Sequence, residues 1–188
     1  LKRLVNIAVP VTLASAFVSL FGLINSFTYV SRLGVAGIDQ KMATILFGDF
    51  GLGQTMINVP LTFSSAMSLT LVPAISTSFA IKNMESIRHK TELGIRTMLL
   101  ISLPCAVGLS IYSQPIFDLL FPSAHNGGAI LRYLAYSVVF IMVGNILQSV
   151  LQALDKFRIP VFNLFIALIV KFVLNYILMA IPSINIYG

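Results

Sequence analysis

The chain has 188 residues, of which 57% are hydrophobic and only 10% charged, with a mean hydropathy of +0.95. Soluble domains carry roughly 25% charged residues, so too few charges remain to cover a water-exposed surface, and the apolar content excludes disorder. The formal net charge of +6 is therefore read as loop charge that orients membrane spans, with no nucleic-acid partner implied.

A helix crossing ~30 Å of hydrocarbon needs about 20 mostly apolar residues. Residues 4–30 form the first such run, closed by Ser31-Arg32 and a loop holding Gly34 and Gly37. Lys2-Arg3 ahead of it mimics a signal peptide, but the run is longer than a signal core and lacks a small-residue cleavage site. The opening Leu1 and the stop at Gly188 suggest a fragment of a longer polytopic protein.

The second run, residues 43–81, holds one charge, Asp49, and measures ~60 Å as continuous helix. It reads as one long bent helix or as two short spans turning at Asn58-Val59-Pro60. Counting Lys and Arg gives eight against two in either case. A single span is preferred. Gly48, Gly51, Gly53 and Asp49 make a poor short span, and one span sets Asp49 and Arg132 at similar depth, where they can pair.

The charged stretch 82–96 reads as a solvated cytoplasmic loop with a short interfacial helix, or else as an anionic-lipid or partner contact. Residues 92–111 are the third span, 130–154 the fourth and 159–181 the fifth. Between the third and fourth, residues 114–122 are too short to span and are expected along the outer interface. Pro10, Pro60, Pro73 and Pro104 fall inside apolar runs, as kinks or pivots.

Nothing in the chain suggests an enzyme. It has no phosphate-cradling loop, no dinucleotide fingerprint and no nucleophile elbow, and its six acids are scattered. His89 and His125 read as residues of loops on opposite sides, and Cys105 is the only thiol, so no metal site and no cofactor are expected.

Ionisable residues within the bilayer cost about 2.5–3.5 kcal/mol each on insertion scales and often serve function. Lys171 lies ~18 Å into the fifth span by helix rise. It is read as a cation meeting an anionic substrate group, or as a structural lysine held by carbonyls. Asp49 with Arg132 is read as a possible ion pair tying two helices. Ser137, Asn145, Gln148 and Gln152 share one helical face, so Asn145 and Gln148 either bond between helices or line a cavity. Asn175, one turn after Lys171, belongs with it. On the second run Asn58, Thr62 and Ser65 align, while Ser64 and Ser68 form a small-xxx-small pair suited to helix packing.

Three stretches carry a resemblance. Leu71-Val72-Pro73-Ala74-Ile75-Ser76, Leu147-Gln148 through Asp155-Lys156 with Pro160, and Lys171 through Asn175-Tyr176-Ile177-Leu178 with Asn185-Ile186-Tyr187-Gly188 are similar to the stage V sporulation protein B / polysaccharide biosynthesis family. That family groups MurJ-like lipid II flippases within the multidrug/oligosaccharidyl-lipid/polysaccharide superfamily. The likeness covers essentially the whole chain and resembles most of the second half of such a protein. It implies an all-α polytopic membrane bundle: five spans of a six-helix lobe, paired with an N-terminal lobe of the same full-length protein around a central cleft.

The family often carries an acid in the first helix of this lobe, where this chain has Asn25, followed by an arginine near the outer end, matched by Arg32. Lys171 and Asn175 match the family pattern and become the leading cavity residues, with Asn145, Gln148, Asn25 and Arg32. The implied function is export of a lipid-linked oligosaccharide or lipid II-like polyprenyl-pyrophosphate sugar across the bacterial cytoplasmic membrane, with membrane lipid as the other partner and the coupling ion unspecified. Two alternatives stand beside it: a cation-coupled multidrug exporter, and a non-transporting scaffold for cell-wall or spore-coat synthesis.

Overall fold

The computed structural model describes residues 12, 16, 19–26, 28, 34, 39–124 and 126–178. These are helical or in short turns, with no strand among them. Residues 19–26 are helical, and the helices whose bounds are described follow in order: α1 Gln40–Ala80, α2 Met84–Ile111, α3 Ser113–Leu120, α4 Gly127–Ala153 and α5 Arg158–Leu178. All but α3 are long and apolar enough to cross a membrane. The protein is an all-α, multi-pass membrane protein. Most of the first expected run, 4–30, lies outside the described residues, as do Arg32 and His125. The chain divides into two compact units, residues 49–156 and residues 1–48 with 157–188.

α1 is one continuous helix of 41 residues. Asp39 opens it, its carboxylate accepting from the Lys41 N–H at 3.2 Å. Pro60 and Pro73 lie inside it without ending it; each leaves the carbonyl four residues earlier, Met56 or Leu69, without its helical donor, a loss that membrane helices tolerate, and hydroxyls nearby bond back along the helix. Thr62 donates to the Val59 carbonyl at 2.7 Å and Thr77 to the Pro73 carbonyl at 2.9 Å.

The turn from α1 to α2 is short and closed by the backbone. Lys82 takes a left-handed φ of 55°. Its N–H reaches the Phe79 carbonyl while the Asn83 N–H reaches the Ser78 carbonyl, both at 3.0 Å, the paired bonds of a Schellman ending. Asn83 then caps α2, its side chain accepting from the Ser86 N–H at 2.9 Å. Lys90 reaches back to the Ala74 carbonyl at 2.8 Å and Ser78 Oγ at 2.7 Å, setting a cation at the negative end of α1.

This corrects one expectation. The stretch 82–96 is not a loop with a separate interfacial helix. From Met84 it forms the first turns of α2, with Arg88 and Glu92 paired at 2.9 Å on its exposed face, and His89 is therefore helical. The physical reason is that solvated charges at the end of a span leave the i→i+4 backbone ladder intact, and an i,i+4 ion pair supports it. The span's apolar limit is not the helix's limit.

At the other end of α2, α3 packs on the start of α4. Phe117 is fully buried and lies 5.3 Å from Phe121, ring centre to ring centre. A Cβ at Gly127 would fall inside the Phe117 ring, and one at Gly128 would come 2.8 Å from Gln114 Cα. The paired glycines are what admit α3 so closely.

Around these contacts Ile57, Leu71, Ile75, Met98, Leu131, Val138, Met142 and Ile146 form the core of the 49–156 unit. α4 ends as α1 does. Asp155 takes φ 58°, with its N–H on the Gln152 carbonyl at 3.1 Å and the Lys156 N–H on the Leu151 carbonyl at 2.9 Å. Ser76 Oγ donates to the Ala153 carbonyl at 3.2 Å, so the two helix ends lie level. The basic residues Lys82, Arg88 and Lys156 lie at or near these helix ends.

A candidate head-group site

Within the 49–156 unit, α1 and α4 meet along a polar seam. Asn145 Nδ2 donates to Ser64 Oγ at 2.9 Å. One turn on, Ser149 Oγ lies 2.7 Å from Ser68 Oγ and 2.7 Å from the Asn145 carbonyl, and Ser68 itself donates to the Ser64 carbonyl at 2.8 Å. Ser64 is fully buried and Ser149 nearly so. Ser64 and Ser68, four residues apart on α1, let the two backbones approach, and hydroxyls hidden from lipid bond both within their own helix and across the interface. The small-xxx-small pair Ser64/Ser68 therefore packs on α4.

Beside the seam lies a pocket of about 290 Å³ lined by Ser65, Ser68, Asn145, Gln148, Ser149 and Gln152. Every lining residue is polar and none is ionisable. Asn145 works on both sides: its amide nitrogen bonds across the helices while the residue also lines the pocket. Gln148 and Gln152, half-buried, lie three and seven residues after Asn145, on the same helical face.

The unit formed by residues 1–48 and 157–188 holds the second group of expected residues. Lys171 lies about 20 Å along α5 by the helix rise. It is half-buried, with Nζ 5.3 Å from the centre of the Phe21 ring, a cation held against an aromatic face. Asn25 and Asn175 each lie one turn beyond a partner in that contact. Asn25 Oδ1 and Asn175 Nδ2 are buried without a hydrogen-bond partner among the described residues, which costs on the order of 1–3 kcal/mol for each such group.

Asp49 and Arg132 are not brought together as expected. Asp49 is buried, whereas Arg132 is exposed on α4 and makes no ion pair with it. Depth along parallel helices was the basis of that expectation, and depth does not fix which face of each helix a residue occupies. Sequence reasoning also missed Ser149, although its place one turn after Asn145 and four residues before Ala153 on a small-residue face was a usable signal. Phe21 as the partner of Lys171 had no signal along the chain. Among the described residues no group of His, Cys, Asp and Glu could hold a metal ion.

Comparison with known proteins points in one direction. Residues 52–186 match the family described as Lipid II flippase MurJ. Among curated proteins of Bacillus subtilis (strain 168), the chain is 26% identical to Lipid II flippase MurJ over 92% of its own length and 32% of the relative's. It is 26% identical to Stage V sporulation protein B, over 99% of this chain and 36% of that one, and 24% identical to Uncharacterized membrane protein YabM, over 100% and 34%. The chain thus spans about a third of the length of these relatives. No solved structure matches it.

Proposed function

The chain belongs to the MurJ lipid II flippase family, and from that premise we propose that it is one lobe of a transporter that moves a lipid-linked sugar outward across the bacterial cytoplasmic membrane. The substrate class is a polyprenyl-pyrophosphate sugar. Its anionic pyrophosphate calls for a cation kept within the bilayer, and its sugar for hydrogen-bonding groups. The reading rests chiefly on one observation: a largely apolar helical bundle keeps a pocket lined by polar, uncharged residues on its α1–α4 seam. Lys171, held mid-helix against Phe21 with two unpartnered asparagine groups one turn away, supports it.

The mechanism follows the general physics of alternating access. The head group leaves water for a cleft shared with an N-terminal lobe of the same protein. The lipid tail remains in hydrocarbon, and rocking of the lobes exposes the cleft to each side in turn. The cation's role is to replace, in part, the hydration that the phosphates lose. No step needs covalent chemistry. In a flippase-depleted bacterial host, Lys171→Gln is expected to abolish complementation while membrane abundance stays normal. Normal growth at normal abundance would remove Lys171 from the mechanism.

A further inference from the structure

Resting on the flippase reading, we propose that the α1–α4 pocket is the subsite for the uncharged, amide- and hydroxyl-bearing part of the head group, an N-acylated amino sugar, and that it does not hold the pyrophosphate. The chemistry of the lining decides between the two. Ser65, Ser68, Asn145, Gln148, Ser149 and Gln152 include no cation. A phosphate seated among them would have no opposite charge beside it, whereas proteins meet phosphates with Arg, Lys or backbone N–H groups. A primary amide, by contrast, offers two N–H donors and a carbonyl with two lone pairs. Sugar hydroxyls and an N-acyl group likewise both donate and accept.

The hydrogen bonds already made leave that capacity on the pocket side. Asn145 spends one N–H on Ser64, which fixes the side chain and leaves its carbonyl oxygen available. Ser149 is held by Ser68 and by the Asn145 carbonyl. The Gln148 and Gln152 side chains make no hydrogen bond among the described residues, though both line the pocket. Two flexible amides stand beside one locked amide, three and seven residues apart along a single helix face. The pocket, about 290 Å³ and open on one side, has room for one sugar ring.

The test uses the protein in membrane vesicles from its own host, with Cys105→Ser as background and a single cysteine introduced as Gln148→Cys or Gln152→Cys. The rate of modification by a water-soluble maleimide is measured alone and with three probes: polyprenyl-pyrophosphoryl-N-acetylglucosamine, polyprenyl pyrophosphate without sugar, and free N-acetylglucosamine. The sugar-bearing lipid is expected to slow modification at both positions at least fivefold, free sugar at millimolar concentration to slow it about twofold, and sugar-free lipid to leave it unchanged. Equal protection by the two lipids would overturn the assignment, as would no protection by the sugar-bearing lipid. In the same vesicles Gln148→Leu with Gln152→Leu is expected to lower movement of the sugar-bearing lipid at least tenfold, and unchanged movement would overturn the subsite while leaving the flippase reading standing. If the parent protein moves neither lipid, the flippase reading fails, and protection by free N-acetylglucosamine then decides the pocket on its own.

Discussion

Replacing Gly127 by alanine tests the packing of the 49–156 unit at its tightest point. The added methyl would fall inside the Phe117 ring. That ring is fully buried and packed against Phe121, so it can yield only by displacing its neighbours. Overpacking of this kind costs about 1–3 kcal/mol, offset by at most about 1 kcal/mol from alanine's better helix propensity. Gly127 is the first residue of α4, where propensity counts least, so the net loss is expected near 1–2 kcal/mol. The diagnostic measurement is a double-mutant cycle with Phe117→Leu, read by equilibrium unfolding in mixed micelles. Phe117→Leu leaves a gap where the ring stood, and Gly127→Ala should then be close to neutral. A coupling of at least 1 kcal/mol, about fivefold in the unfolding constant, is expected. If Gly127→Ala costs the same in both backgrounds, the glycine is not there to admit Phe117, and α3 is held in some other way.

Two further outcomes follow from the seam and the turns. In a Ser64→Ala, Asn145→Ala cycle the coupling is expected near 0.6 kcal/mol, the average for interhelical hydrogen bonds in membranes, and below about 1.7; zero coupling in the same unfolding assay would mean that the 2.9 Å contact contributes nothing. Lys82→Gly removes a side chain from a left-handed position and is expected to stabilise the protein by about 0.5–1 kcal/mol in thermal unfolding, whereas a loss of stability would show that the lysine side chain itself holds the turn.

The apolar runs that became α1, α4 and α5 were legible because mean hydropathy over about 20 residues is a local property of the chain. The start of α2 was not. Hydropathy stops at the charges of residues 85–96, but backbone hydrogen bonding continues through them, and the signal that marked the true start was the capping asparagine at position 83. The polar face of α4 was also readable, since Asn145, Gln148 and Gln152 follow helical spacing. What that face meets was not, because Ser64 lies 81 residues from Asn145 and nothing in the order of residues specifies which serines of α1 turn toward it. The same limit separates Asp49 from Arg132. Both were placed at a sensible depth, and only the rotation of each helix about its axis determines whether two such side chains meet.

The corner where α1 passes into α2 bears on any cycle of inward and outward states. Ser78, Asn83, Ser86 and Lys90 interlock there with the backbone carbonyls of Ala74, Ser78 and Phe79. Sliding one helix past the other at this end would strip several of those bonds at once, a cost that favours moving the elbow as a unit. Bending costs less farther along, where a proline such as Pro60 or Pro104 has already removed a rung of the backbone ladder.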